Sequence, residues 1–466
     1  MPPTLALLLW LILLLGLLSF DPAKDSRVSA ALWVPLIWMF IAASRLPSQW
    51  LGGTTGTVAS VLEDGNPLDR SIDLFLILLA IAILMSRSFN WGGFFARNIV
   101  LIAFLSFALL SVLWSDFPFV SFKRWFRDIG QYLMILVVLS DAQPLEAVRT
   151  LLRRLSYLLI PLSIVLNKYY LGMSRQYDSW TGTFTLSGAT TSKNMLGALC
   201  LVSGLFFLWD TVERWRDRKD RRTRRILMVN VAFMAMTLWL LSLSNSATSS
   251  VCLMIGCLVI LAARSKTFKR HPGFFKAMIP AGFCLFLILA LGFDLTGQLA
   301  GQVGRDSTLT DRTTIWTAVL SMDTNSLVGT GYESFWLGPR LERVWQLAGH
   351  VNEAHNGYLE VYLNLGLIGL VLLIGFLISG YRAIWKRIVS LPALGSLSLA
   401  VWTVVLFYNV TEAAFKGGLL WLTFLLGVIA VPVRATERVQ DVGALSNVKT
   451  TSRVSGLPLE PANRRA

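Results

Sequence analysis

Charge is scarce in this chain. Only 15% of its 466 residues are Asp, Glu, Lys or Arg, against roughly a quarter in soluble domains, which excludes an ordinary solvated surface. Cysteine is nearly absent. Cys200, Cys252, Cys257 and Cys284 all fall inside apolar runs, so neither a disulfide framework nor a thiolate metal site is indicated. There are three histidines, and the polar connections show neither an Asp-x-Asp pair nor a His/carboxylate cluster of clear ligand spacing. No metal or other cofactor is expected. The first apolar run lacks the basic n-region and small-residue cleavage pattern of a signal peptide and is read as a span.

Hydrophobic residues instead make up 55% of the sequence, with a mean hydropathy of +0.60. Runs able to cross a ~30 Å hydrocarbon core recur at 4–20, 28–44, 72–86, 98–114, 129–141, 155–167, 194–209, 226–244, 246–263, 277–293, 358–379, 394–410 and 417–432. The fifth and sixth are short. The fold class is an all-α polytopic membrane protein of about 12–13 transmembrane helices, one integral membrane domain over 1–432.

Of 42 Lys and Arg, 29 fall in the alternate connections 21–27, 87–97, 142–154, 210–225, 264–276, 380–390 and 433–466, which makes that side cytoplasmic by the positive-inside rule. The N-terminus is then periplasmic, the C-terminus cytoplasmic, and the long connection 294–357, between the tenth and eleventh spans, extracytoplasmic. The net charge of +15 is mostly this asymmetry. Its densest run, Arg214 to Arg225, meets anionic lipid, and nucleic acid is not an expected partner. The polar segment 433–466 reads as a disordered cytoplasmic tail.

The long connection carries short helices. Pro339 to Ala348 has Leu337, Leu341, Val344, Trp345 and Ala348 at helical spacing, with Gly349 after it, and is expected to lie on the bilayer surface. Thr308-x-x-Asp311 has the form of a capping box opening a helix through Trp316.

His355 stands just before the eleventh span. The positive end of a helix start disfavours imidazolium, so this ring is expected to be a neutral base. Cations that break the positive-inside bias accompany it. Lys123, Arg124 and Arg127 share one helical face, with an Arg124–Asp128 pair as the alternative use of Arg124. Arg305 and Arg312 are seven residues apart, and Lys193 stands at the mouth of the seventh span. Arginine forks suit phosphate oxygens. A base for an acceptor hydroxyl, with cations for a departing diphosphate, is what metal-independent glycosyl transfer from a polyprenyl diphosphate needs. The alternative for His355 is a helix-start anchor hydrogen-bonded to Asn352 or Glu353. Glu412 either orients His355 or pairs with Lys416, and the salt pair is preferred. His350 and His271 are read as structural.

Ala354-His-Asn-Gly-Tyr-Leu-Glu360 followed by Leu365-Gly-Leu-Ile-Gly369 resembles the signature of the O-antigen ligase and polymerase superfamily of bacterial membrane proteins. Trp114 to Gly130, Ser192-Lys-Asn-Met-Leu-Gly197, Gly304 to Trp316, Gly329 to Trp336 and Ser44 to Leu51 are similar to its exopolysaccharide production, or ExoQ-type, branch. The resemblance implies an inner-membrane enzyme, independent of metal and ATP, that uses an undecaprenyl diphosphate-linked glycan donor and a glycan acceptor. It implies His355 as the acceptor-activating base and Arg312, Arg305 and Arg124 as diphosphate ligands, with Tyr358 and Glu360 supporting the motif. The sequence departs from relatives at Asp311, where glycine commonly precedes the arginine, and in Leu243 to Ser249, which holds no basic residue. Ser192 also replaces a frequent histidine.

The leading expectation is a polymerase that joins lipid-linked repeat units. A ligase moving glycan to a lipid A core is the nearest rival. A flippase for lipid-linked oligosaccharide, which would need charges deep within spans, and a partner of a chain-length regulator or export complex are the readings of other classes.

Overall fold

A computed structural model describes residues 1–21, 28–52, 65–177, 184–292 and 308–432; the side chains of 290–292 and 308–311 are outside that description. Arg305 and the 433–466 tail lie outside the described residues, as does the Asp311 side chain. A helix falls on each expected span. These are α1 (Pro3–Ser19), α2 (Trp33–Ala43), α3 (Pro67–Ser86), α4 (Ile99–Leu110), α5 (Pro118–Leu139), α6 (Pro144–Tyr169), α7 (Lys193–Arg214), α8 (Arg221–Ser244), α9 (Ala247–Arg264) and α10 (Pro272–Gly292). The long connection holds α11 (Thr308–Leu320) and α12 (Gly338–Ala348), and α13 (Gly357–Ser390), α14 (Pro392–Thr411) and α15 (Leu419–Val428) follow. Seven of the described helices are long and apolar enough to cross a membrane unaided. The chain is a multi-pass, all-α membrane protein. A small antiparallel hairpin, β1 (Arg175–Tyr177) with β2 (Phe184–Leu186), is an unexpected addition.

A helix in hydrocarbon leaves its first N–H groups without water, so polar caps matter. Asn66, Ser192, Asp220, Ser246 and Asn356 each accept backbone N–H bonds at the starts of α3, α7, α8, α9 and α13. Central helices are buried almost all round, α14 most of all, whereas α10 turns nearly all of its length outward. The two short spans are longer than expected, because α5 and α6 continue through charged turns whose side chains find partners.

Those partners sort by side. Arg87 meets Asp141 at 3.2 Å, Arg154 meets Asp21 at 2.7 Å and Arg153 meets Asp210 at 3.0 Å, while Arg264 reaches Glu213. All join residues in the lysine- and arginine-rich connections or, for Asp141, one residue before one of them. Arg340 with Asp116 and Arg312 with Glu412 join connections of the other set. No ion pair among the described residues crosses between the two sets.

Two expectations about the long connection change. The apolar face of α12 does not lie free for the bilayer: Leu341, Val344 and Ala348 pack with Ile315, Val319, Phe335 and Trp336 in a core of the connection itself. And α13 is not one continuous span from its start. Gly366 has φ +63° and breaks it. The backbone of 326–331 fills the break, with Thr330 N–H donating to Leu363 O, Gly331 N–H to Asn364 O, Leu367 N–H to Ser326 O and Ile368 N–H to Leu327 O. A Cβ on Gly366 would stand 2.3 Å from Leu327 C. The His355 motif thus begins a short helix, separate from the span that follows.

Candidate active site

The segment 349–356 is held by side chains from three directions. Trp316 Nε1 of α11 donates to Ala354 O at 2.8 Å, Trp345 Nε1 of α12 donates to Val351 O at 2.8 Å, and Ala354 N–H donates to Glu360 Oε1 at 2.5 Å. Glu360, 6% exposed, also accepts Trp336 Nε1 at 2.9 Å, so it ties the helix start to the loop before it. Tyr358 donates to Leu406 O at 3.1 Å and packs on Phe415. Gly357 presses on α14 so closely that a Cβ would meet Asn409 Oδ1 at 2.0 Å. His355, clamped between these contacts, has φ +47°, a costly backbone state for a non-glycine residue.

Its ring faces acid. Nδ1 lies 3.0 Å from Glu353 Oε1 and 3.4 Å from Glu412 Oε2, close enough for ion pairing although neither contact is aligned as a hydrogen bond. Burial acts to lower the ring's pKa, but the two carboxylates against Nδ1 outweigh it and push the value up from 6.5 to about 10. Glu353 responds in the opposite sense. Burial would raise it, and His355 holds it down at about 2. This corrects the expectation of a neutral base: a helix end contributes about 0.3–1 kcal/mol, less than two carboxylates in contact. The two carboxylates favour the imidazolium of His355 over its neutral ring.

Glu412 joins the remaining parts. It is 4% exposed and caps the end of α14, and its Oε1 accepts Arg312 Nη2 at 2.8 Å. Asn194 Nδ2, in the first turn of α7, donates to both of its oxygens at 3.0 Å. The preferred Glu412–Lys416 pair does not form. Arg312 is the stronger claimant, because its fork arrives from α11 on the same side. Lys416 instead feels Glu333, Glu360 and Glu353 through space; burial would lower its pKa, and these charges raise it.

The helical trio divides. Arg124 Nη1 donates to Glu333 O at 2.5 Å rather than pairing with Asp128. Asp128 is taken by Arg127 at 3.2 Å and by Tyr332 Oη at 2.8 Å. Arg127 remains half-exposed, and Lys123 lies over the Phe119 ring at 4.9 Å. Lys193 opens α7 beside Asn194. His350 packs at a tilt against the Trp345 ring. The structure therefore joins His355, Glu353, Glu412 and Arg312, adds Asn194, and leaves Lys123 and Arg127 toward the rim. Only the Ser192-Lys-Asn stretch hinted at Asn194.

Glu353, His355 and Glu412 also form a His/carboxylate cluster that the linear spacing hid, with ligand atoms within 4.8 Å. Its donor chemistry does not suit a metal ion. Both Glu412 oxygens are occupied, one of them by a guanidinium that a cation would have to sit beside.

Comparison with known proteins gives the family. A family described as O-antigen ligase matches residues 231–374, a stretch that includes Arg312 and His355. The exopolysaccharide production protein ExoQ of Rhizobium meliloti (strain 1021) is 30% identical over 314 residues, 64% of this chain and 68% of that protein. The chain belongs to the ExoQ-type branch of the O-antigen ligase and polymerase superfamily. Membership of the ExoQ-type branch makes polysaccharide-related glycosyl transfer its class of function.

Proposed function

We propose that this chain transfers glycan from undecaprenyl diphosphate to a glycan acceptor, polymerising repeat units of an exopolysaccharide or O-antigen at the outer face of the bacterial inner membrane. The observation that carries this reading is the ring of His355 turned into Glu353 and Glu412 while Arg312 stands on the same Glu412. A carboxylate behind Nδ1 keeps a proton there and leaves Nε2 for the acceptor. In the reaction the ring acts in its neutral form, having first lost the Nε2 proton to solvent; Nε2 then takes the proton of the acceptor hydroxyl, and that oxygen bonds to the donor's anomeric carbon. The bond from this carbon to the diphosphate oxygen breaks, and the electron pair leaves on undecaprenyl diphosphate. A single displacement inverts the anomeric centre. The leaving group is a stable anion and needs no acid.

Arg312 and Arg124 are the inner cations for that anion. Arg127, Lys123 and Lys193 serve its approach, and Arg305 joins them on its place in the sequence. Glu353 and Glu412 position His355, and Tyr358 and Glu360 position the helix start. No metal takes part in this reading, so a chelator is expected to leave the rate unchanged.

The raised pKa of His355 favours a second role for the ring, an imidazolium that holds the diphosphate. Its pH profile separates the two roles. The reaction itself is tested with purified full-length protein and lipid-linked glycan. His355→Ala should abolish transfer, and a variant that transfers at the normal rate would sink both polymerase and ligase. In a deletion strain, single repeat units at the surface support a polymerase; long chains left on lipid carrier support a ligase.

A further inference from the structure

Behind the His355 segment lies a cavity of about 30 Å³, lined among others by Gln131 of α5, Tyr332 and Glu333 of the long connection, Gly357 and Glu360 of α13, and Lys416. Its polar lining is not self-satisfied. Gln131 is 3% exposed, yet its Oε1 has no hydrogen-bond partner among the described residues. Leaving such an oxygen unpaired costs about 1–3 kcal/mol, a cost that a bound hydroxyl or water would remove. Among the described residues the Lys416 ammonium has no ion-pair partner either, with Glu333 and Glu360 acting on it only through space. Glu333 is held at φ +52°, one of four non-glycine residues with positive φ among the described residues, as is His355.

The lining sets the chemistry of what fits. A phosphate is disfavoured by the Glu333 and Glu360 carboxylates, and a cation by Lys416. An apolar group would leave Gln131 and Lys416 unpaired. A hydroxyl both donates and accepts, and so answers the Gln131 carbonyl and the Lys416 ammonium at once. A space this size holds about two waters, too little for a pyranose ring but enough for the two heavy atoms of the one arm that projects from a hexose ring. Its place ties it to the reaction. Glu360 binds Ala354 N–H, and Gly357 is two residues beyond His355.

We infer that this cavity is a glycan subsite that receives the hydroxymethyl arm of a hexose bound at His355, with Gln131 accepting from its hydroxyl and Lys416 donating to it. The inference rests on the glycosyl-transfer reading and names part of its substrate. Its test needs no turnover. Full-length protein in lipid nanodiscs is examined by saturation-transfer NMR with methyl galactoside and methyl glucoside, each beside its 6-deoxy counterpart. The wild type should bind the hydroxymethyl sugars about tenfold more tightly, one well-made hydrogen bond's worth. Gln131→Leu and Lys416→Met, read separately so that either stands if the other fails to fold, should each erase most of that preference.

With lipid-linked glycan as substrate, both changes should raise KM about tenfold and leave kcat within about threefold. Equal binding of the two sugar forms by the wild type overturns the subsite, as does binding of neither. So does a preference that survives in both variants, or variants that lose only thermal stability because the cavity holds water. If sugar preference is present but no transfer is found in any preparation, the reaction assignment falls and the subsite does not.

Discussion

Glu353→Gln tests the charge on His355. At about 10, the ring is neutral in only about one molecule in a thousand at pH 7. Gln keeps the size and reach of the side chain but removes the nearer of two charges, at 3.0 Å, leaving Glu412 at 3.4 Å. If the two carboxylates contribute comparably, the ring falls to about 8, between its ordinary 6.5 and its present value. The neutral fraction at pH 7 then rises roughly a hundredfold, and the weaker base takes back about tenfold at a Brønsted slope near one-half.

The assay is the initial rate of transfer from purified lipid-linked glycan between about pH 6 and about pH 10. If His355 is the base, the wild-type rate climbs across this range toward a plateau near 10. The Glu353→Gln profile levels about two pH units earlier, is about tenfold faster at pH 7, and has a lower alkaline limit. If the imidazolium holds diphosphate, both profiles fall with rising pH and the variant falls first. A limb that does not move on Glu353→Gln refutes the coupling between the carboxylate and the ring.

Arg312→Ala should lower kcat/KM for lipid-linked donor by about 10²–10³-fold, and Arg312→Lys should recover little because a point charge cannot replace the fork; initial-rate kinetics decide it. Gly366→Ala should loosen the long connection, since φ +63° and a Cβ at 2.3 Å from Leu327 C cannot both be accommodated. Limited proteolysis within 325–336 and a lower unfolding temperature are its signatures, with a strain cost of about 1–3 kcal/mol before any clash. The His355–Glu353 pair should make stability pH-dependent. The raised ring contributes fully below 6.5 and loses its contribution as pH rises through about 10. The depressed carboxylate contributes fully above 4.5 and loses its contribution as pH falls through about 2. The unfolding-temperature gap between wild type and His355→Ala is therefore widest from pH 4.5 to 6.5 and closes toward both ends.

The membrane helices were legible because crossing a ~30 Å core demands a length of apolar chain that few other structures need. Where charges interrupted the pattern, at Lys123 to Arg127 and at Arg153 and Arg154, hydropathy cut α5 and α6 short. Their partners, Glu333 for Arg124 and Asp210 and Asp21 for the second pair, come from distant connections that a local window cannot weigh. The break at Gly366 was hidden in the same way. A glycine between leucines reads as an ordinary membrane helix until the backbone of 326–331 is seen filling its place. On α12 the apolar stripe was read correctly and its occupant was not, because a stripe that can bury in lipid can equally bury against Ile315 and Phe335.

His355 shows the same limit where chemistry depends on it. Its position before a helix is local information, and that information argues for a neutral ring. Its charge is set by Glu353 together with Glu412, which arrives at the end of α14, and Glu412 in turn is fixed by Arg312 from α11 and Asn194 from α7. Three connections must fold against one another before the ring meets its second carboxylate. Motif likeness therefore located the residue, while its protonation state belongs to the assembled site. A diphosphate that drew Arg312 away from Glu412 would leave that carboxylate with less competing charge and bind the His355 proton more firmly. Donor binding should then move the ring's titration upward, a shift that histidine NMR with and without a diphosphate lipid would read directly. No shift, or a downward one, would place Arg312 outside the donor site.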